Sequence, residues 1–307
     1  MKAVRIHSYG GSDVLQVDDI ATPQPGLGEV LVKVRAASVN PVDYKIRSGQ
    51  HKSGNQQPPL TLGRDISGVV SAVGPGVTDF KVGEEVYAML DWNSGGNAEY
   101  AIAKREGVAR KPASIDHLHA AAVPLAATTA WQGLFDQGNL QAGERVLIHG
   151  AAGGVGHFAV QFAKNRGAYV IAMAREEDRD FLKRLGADEV IDYQKERFED
   201  RVRDIDLVLD LVAGETQKRS WKVLKPGGRL VSALGAPREE DALKRKAVAR
   251  GFMAAPNREE LSRIGRMIDD KKVMVAVEKT LPLSAIRAAH DHLEHDHIRG
   301  KVVLTVG

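Results

Sequence analysis

The 307-residue chain contains no cysteine. No disulfide framework can staple it, and no thiolate is present to act as a nucleophile or to ligate zinc. No stretch reaches the roughly 18 apolar residues of a membrane-spanning helix. The opening MKAVRIHSYGG is charged and lacks the apolar run of a signal peptide. A cytoplasmic location, with no membrane partner, is the expectation. An excess of one charge is missing too. Lysine and arginine number 43 against 40 aspartates and glutamates, a formal balance of +3 that is too small and too dispersed to argue for nucleic acid. The most basic stretch, 244–250, holds two lysines and two arginines. It reads either as a solvated helix face or as a dock for an anionic partner, and its spacing favours the first. No internal repeat and no low-complexity segment is visible.

A length of 307 residues supports about two domains. The first third reads as short, valine-rich, alternating strands at 2–5, 29–36, 66–73 and 85–88. Turn signals at Pro23, Pro25, Gly26, Gly28, Gly74, Pro75, Gly76 and Gly83 separate them. They predict a small coiled antiparallel sheet or barrel, with no long helix before Asp116. The pattern changes near residue 117. Helix is expected at 118–135, strand at 145–149, helix at 155–165, strand at 169–174, and helix at 179–185 ending at Gly186. Further strands are expected at 190–192, 207–211 and 229–233, with a helix at 216–223. This β-α-β alternation predicts a Rossmann-type, doubly wound parallel sheet. The final stretch predicts a helix (258–269), a strand (273–279), a helix (283–293) and a strand (302–306), returning to complete the first domain. The expected division is 1–116 and 252–307 for one domain, with 117–251 inserted in it.

The strongest chemical signal is RVLIHGAAGGVGHFAVQFAK. A strand runs into Ala151-Ala152-Gly153-Gly154-Val155-Gly156, and a helix follows. This is the dinucleotide fingerprint with its first glycine replaced by Ala151. Gly153 lets the backbone approach a pyrophosphate, and Gly156 permits close packing of helix on strand. The helix N-terminus offers free N–H groups and a positive dipole end. An NAD-binding unit usually ends its second strand in Asp or Glu, to grip the ribose hydroxyls. Here that end is Ala174, followed by Arg175. A guanidinium there can pair with a 2′-phosphate, so NADPH is the expected cofactor. Glu176 and Glu177 oppose this if they turn inward. The alternative for Arg175 is a surface arginine paired to those glutamates.

The pieces AASVNPVDYKIRSG, LTLGRDISGVVSAVGPGVTDFKVGEEVYAM, AAAVPLAATTAWQGL, HGAAGGVG, LGADEVIDY and RGKVVL together resemble the medium-chain dehydrogenase/reductase superfamily, in its zinc-independent quinone and enone oxidoreductase branch. The resemblance covers essentially the whole chain. It implies an α/β protein whose Rossmann-type domain is inserted in a mostly β, GroES-like substrate domain, with a homodimer as the assembled form. The superfamily's zinc enzymes place a Cys, a His and a Cys or Asp around the metal. The corresponding positions here are Asn40, Arg64 and Leu125, which form no competent zinc site. A metal could be sought instead at His290, His292, His295 and His297 in HDHLEHDH, but this segment resembles the family's solvated last helix, and no metal is expected.

Without zinc, the simplest chemistry is conjugate hydride transfer from the nicotinamide to an electron-poor carbon, with the developing oxygen stabilised and protonated. Asn40-Pro41-Val42-Asp43-Tyr44-Lys45 is the candidate wall. By resemblance to plant enone reductases, Lys45 lies near the nicotinamide ribose and the substrate oxygen, with Asp43 orienting it and Asn40 donating a neutral hydrogen bond. The alternative is that Asp43 and Lys45 form a surface ion pair beginning a helix. Tyr44 is either a second donor or a packing residue. By the same resemblance Thr129 lies near the nicotinamide and Tyr193 covers the adenosine phosphate. Val212, Leu234 and Gly235 border the nicotinamide, while Arg299, Gly300 and Lys301 close over the cofactor. The loops 51–59 and 91–97 shape the substrate pocket, and polar HKSGNQQPP is either a lid or simply a loop. The function so implied is NADPH-dependent reduction of quinones or enones. A reductase of enoyl thioesters or other carbonyls, and an NADPH-binding structural or sensing protein with little turnover, stand beside it.

Overall fold

Valine alternation before residue 117 does become sheet. In the computed structural model, which describes residues 1–51 and 57–307, the central strand is Glu29–Val39, with Val30, Val32 and Val34 buried. It pairs antiparallel with Asp65–Val73, and two register shifts bend it. Bending lets one strand serve several partners, and Tyr100–Lys104 and the last strand of the chain, Lys301–Thr305, both pair with it. The sheet has seven strands. Its order is Val277–Pro282, Lys301–Thr305, Glu29–Val39, Asp65–Val73, Glu85–Met89 and Val108–Arg110, with Tyr100–Lys104 off that path. A three-stranded sheet of Leu15–Asp19, Lys2–Ile6 and Leu60–Thr61 accompanies it. One apolar core fills this unit, from Val4 and Ile6 through Ile66, Val86 and Leu90 to Val302 and Leu304.

The second unit is built on six parallel strands in the order Glu189–Asp192, Tyr169–Ala174, Arg145–Ile148, Ile205–Asp210, Leu224–Ser232 and Val248–Gly251. Every pair is parallel. The strand order reverses on either side of Arg145–Ile148, which makes the carboxyl ends of that strand and of Ile205–Asp210 the topological switch point. Its core centres on Leu147, Ile171, Phe198, Val208 and Leu230.

The first unit comprises Met1–Leu125, Pro256–Asp270 and Val275–Gly307, and the second comprises Ala126–Ala255 and Lys271–Met274. These limits differ from the change of sequence pattern at 116/117 and 251/252. Helix His117–Ala121 packs on Glu29–Val39 and Asp65–Val73, which keeps it in the first unit. The single helix expected at 118–135 is broken into His117–Ala121, Pro124–Trp131 and a π-helical turn Gln132–Gln137. Pro124 has no N–H with which to continue the preceding helix, and it starts the next one instead. The strand expected at 273–279 forms later, at Val277–Pro282. Side-chain amides capture the backbone before it: Gln161 brackets Met274 through bonds of 2.7 and 2.9 Å, and Asn165 holds the Lys272 carbonyl at 2.9 Å. The basic stretch 244–250 is not one helix face. Helix Glu239–Arg245 ends at Lys246 in a left-handed conformation, and Val248–Gly251 is the edge strand of the parallel sheet. No helix among the described residues is long and apolar enough to cross a membrane.

Candidate functional site

The glycine-rich turn leaves Arg145–Ile148 through buried His149 and turns at Gly150, whose φ is +67°. The left-handed residue is therefore Gly150, one position before Ala151, where the fingerprint has its first glycine. The helix Gly156–Asn165 begins against the turn. A Cβ at Gly156 would lie 2.1 Å from the Gly150 carbonyl oxygen and 2.6 Å from the Ala151 Cα. Close approach of helix to turn thus fixes this glycine. Gly153 differs: a Cβ there would meet only the Gly150 oxygen, at an ordinary 3.5 Å. Packing against the described residues therefore does not demand glycine at 153. Gly154, Val155 and Gly156 present N–H groups with no backbone acceptor among the described residues, at the positive end of a ten-residue helix.

At the end of the second strand Ala174 is buried and Arg175 is partly exposed. Arg175 Nε donates to the Tyr193 hydroxyl at 3.0 Å, and Tyr193 N donates to the Ala174 carbonyl at 3.1 Å. Tyr193 therefore props Arg175. Glu176 is gripped by Arg179 through two bonds of 2.6 and 2.9 Å, which takes its carboxylate away from Arg175. Glu177 lies 3.5 Å from Arg175, an exposed contact.

The switch point carries a residue that pattern reading missed. Asp210, fully buried at the end of its strand, accepts from Val212 N at 3.1 Å, Ala213 N at 2.8 Å, Gln217 Nε2 at 2.8 Å and Ser232 Oγ at 2.9 Å. Ser232 Oγ in turn accepts from Leu234 N at 3.2 Å. One carboxylate thus fixes both loops that bear Val212, Leu234 and Gly235. Val212 and Leu234 remain exposed, and Gly235 has φ +125°. Thr129 is buried on helix Pro124–Trp131.

In the first unit, Asn40 caps helix Pro41–Arg47, and Asp43 closes a capping box by accepting from Asn40 N at 2.7 Å. Around them lies a buried polar cluster. Asp65 accepts from Ser38 Oγ and Asn40 Nδ2, both at 2.8 Å, and from Leu125 N at 2.6 Å. Lys301 Nζ sits 3.5 Å from Asp65 Oδ2, donates to the Val39 carbonyl at 3.2 Å, and donates to Asn40 Oδ1. Asp65, Asn40 and Lys301 are all buried. Burial pushes the Asp43 carboxyl up to about 7; the Asn40 N–H opposes it, Asp65 adds to it, and Lys301 and Arg64 oppose it. Burial lowers the Lys301 ammonium, with Asp65 pulling the other way. Lys301 is therefore a buried counter-ion to Asp65. Gly300 turns the chain into the last strand at φ +77°, where a Cβ would meet the Ala276 oxygen at 2.4 Å. Arg299 N donates to Glu278 Oε2 at 2.6 Å.

The wall expected at 40–45 is assembled differently from its sequence reading. Asp43 is buried, its Oδ2 serves the helix cap, and its Oδ1 has no partner among the described residues. Among the described residues no hydrogen bond or ion pair joins Asp43 to Lys45. Lys45 and Tyr44 are half-buried on the short helix. The loop reading of 51–59 falls partly on residues 52–56, outside the described residues. The histidines of the last helix do not converge. His290 is buried 3.3 Å from Arg47 Nη1 and is pushed down to about 3 by burial and then by Arg47. His292 bonds Asp296 at 2.6 Å, and His295 bonds the Asp291 carbonyl at 2.9 Å. No group of three metal-ligating side chains occurs among the described residues.

The chain is similar to known proteins in sequence and fold. Residues 26–113 match the alcohol dehydrogenase GroES-like domain, and residues 185–304 match the zinc-binding dehydrogenase family. The chain is 36% identical to the NADPH-dependent alkenal/one oxidoreductase of Arabidopsis thaliana chloroplasts, over 99% of this chain and 79% of that protein. The quinone oxidoreductase of Coxiella burnetii superposes with a TM-score of 0.92 at 34% identity, covering 100% of this chain and 99% of the other. Quinone oxidoreductase of Escherichia coli, solved with NADPH, superposes with a TM-score of 0.90 at 28% identity, covering all of both chains.

Proposed function

The chain belongs to the medium-chain dehydrogenase/reductase superfamily, in its quinone and enone oxidoreductase branch, and from that premise we propose that it is an NADPH-dependent, zinc-independent reductase of quinones or α,β-unsaturated carbonyl compounds. The observation that carries the reading is the end of strand Tyr169–Ala174. The strand ends in Ala174, and a guanidinium propped by Tyr193 follows it beside a glycine turn whose N–H groups at 154–156 have no backbone acceptor among the described residues. Arg175 suits a 2′-phosphate through charge-assisted hydrogen bonds. The open side of Gly153 and the helix N-terminus suit the pyrophosphate. Asp210 holds the loops at 212–213 and 234–235 in place, as a floor for the nicotinamide.

When bound, NADPH supplies a hydride. The residues supply position and a proton. Asn40 is locked by Asp65 and Lys301, which fixes its amide orientation. Asp43 holds its proton up to about pH 7 and is the acid we assign. Zinc does not fit this donor set. Asn40 Oδ1 takes a hydrogen bond from Lys301, Arg64 is a cation, and the Leu125 side chain has no ligating atom. The assembled form is proposed to be a homodimer, as the resemblance implies, and sedimentation at micromolar concentration checks it.

The test is an acceptor panel of quinones, short enones and enoyl thioesters run with NADPH and with NADH. Turnover of quinones or enones with NADPH is expected. Selective turnover of enoyl thioesters would move the substrate class, and tight NADPH binding with no turnover across the panel would remove the enzymatic reading.

A further inference from the structure

Helix Gly156–Asn165 is bonded backwards along one of its faces. His157, Gln161 and Asn165, four residues apart, share that face. Gln161 Nε2 donates to the His157 carbonyl at 2.9 Å, and Asn165 Nδ2 donates to the Gln161 carbonyl at 2.8 Å. The first rung lies elsewhere. His157 Nδ1 is 3.1 Å from the Gly153 carbonyl oxygen, which belongs to the glycine turn and not to the helix. A carbonyl oxygen only accepts, so Nδ1 is the ring nitrogen that carries a proton. The His157 backbone N–H donates to the same oxygen at 3.0 Å. One residue thus grips one carbonyl twice.

Holding that carbonyl sets the direction of an N–H. A trans peptide is planar, and its C=O and N–H point opposite ways. The Gly153 carbonyl points along the helix to His157, so the Gly154 N–H points back, out of the helix N-terminus. This N–H has no backbone acceptor among the described residues, and Gly153 and Gly154 are half-buried. The peptide also needs a hold. It joins two glycines, and neither has a Cβ to restrict its rotation. The lack of a Cβ that leaves room at 153 is the same lack that lets the peptide turn. His157 can supply the hold because packing fixes its own ring, which is fully buried with its centroid 4.0 Å from that of Phe158.

We infer that His157 is a positioning residue of the cofactor site, its imidazole holding the Gly153–Gly154 peptide so that the Gly154 N–H meets a phosphate oxygen of NADPH. The imidazole acts through the peptide. The role rests on the glycine turn holding the pyrophosphate, as proposed above.

Titration with adenosine 2′-phosphate and with adenosine 2′,5′-bisphosphate tests this without turnover, because the two differ by a phosphate that the turn would hold. The wild-type chain is expected to bind the bisphosphate more tightly. His157→Phe keeps a ring and loses the donor. It should weaken the bisphosphate and NADPH on the order of tenfold, the worth of one hydrogen bond to a charged group. Adenosine 2′-phosphate affinity and melting temperature should stay nearly unchanged. His157→Asn should restore most of the loss, since the amide of Asn165 reaches the carbonyl four residues back in this same helix. Nitrogen-15 spectra of the unliganded wild type should find the proton on Nδ1. A histidine that only packs would lower the melting temperature on substitution and weaken all three ligands alike, which overturns the inference. Full bisphosphate affinity in folded His157→Phe, or a proton on Nε2 alone, overturns it too. Should His157→Phe fail to fold, His157→Leu takes its place, and the spectra need no variant at all. Equal binding of the two nucleotides by wild type would sink the pyrophosphate reading of the turn, and the role of His157 with it. A phosphate gain that survives the loss of the donor would sink the role of His157 alone.

Discussion

Replacing Lys301 with methionine separates an interior counter-ion from a cofactor clasp. The substitution removes the ammonium that faces Asp65 Oδ2 at 3.5 Å and the Val39 carbonyl at 3.2 Å, and it leaves Asn40 Oδ1 without its donor. Methionine fills most of the volume, so the cost is electrostatic. Breaking one partner out of a buried ion pair costs about 3–5 kcal/mol, because the other charge stays behind. Asp65 keeps Ser38, Asn40 and Leu125 as donors, which places the expected loss near the lower end. With urea slopes of roughly 1–3 kcal/mol per molar, the midpoint should fall by about 1–3 M. Hydrogen exchange should rise along strands Glu29–Val39 and Lys301–Thr305, which are paired at this spot. Adding Asp65→Asn removes the stranded charge, so the double variant should lose less than the two single changes summed. NADPH affinity, measured where both proteins are folded, should change little. A loss below about 1 kcal/mol, as for an exposed pair, would refute this reasoning. So would weaker NADPH binding at unaltered stability.

Three further outcomes are expected. Arg175→Ala should weaken NADPH on the order of tenfold to a hundredfold and leave NADH nearly unchanged, as read by fluorescence titration; equal loss for both cofactors would contradict the strand-end assignment. Gly156→Ala must push the Gly150 carbonyl from 2.1 Å and should destabilise the second unit by roughly 1–3 kcal/mol, whereas Gly153→Ala, with its nearest contact at 3.5 Å, should leave the melting temperature alone yet weaken NADPH. Asp43 is raised from 3.8 to about 7, so between those values the folded chain holds a proton that the unfolded chain releases. Stability should therefore fall as pH rises through that window, by up to about 1.4 kcal/mol per pH unit, and level off above it. Asp43→Asn should flatten the slope in urea titrations across pH 4 to 8.

The parallel sheet was legible because its signals are local. Strand, glycine turn and helix follow one another within twenty residues, and the strands at 169–174, 189–192, 205–210 and 224–232 each hold a short apolar run. Edges were harder to read. Val248–Gly251 carries exposed and half-exposed residues, so it shows no apolar run. The pattern at 244–250 is dominated by charges that stay in water on either kind of element. Pro124 breaks a helix that is apolar on both sides of it, where hydrophobic periodicity alone runs through.

The polar cluster was illegible for a different reason. Asn40 and Asp43 stand together in sequence, but the charges that complete them come from Arg64 and Asp65 and from Lys301 at the far end of the chain. Only the antiparallel register of Val302 opposite Val39 brings Lys301 to Asn40. A lysine opening a valine-rich strand gives no local sign that it will be buried. Asp43 and Lys45, two apart, look like partners until the helix cap claims one Asp43 oxygen and burial strips the other. The same burial leaves Asp43 and Arg64 as bare polar groups on one cavity wall.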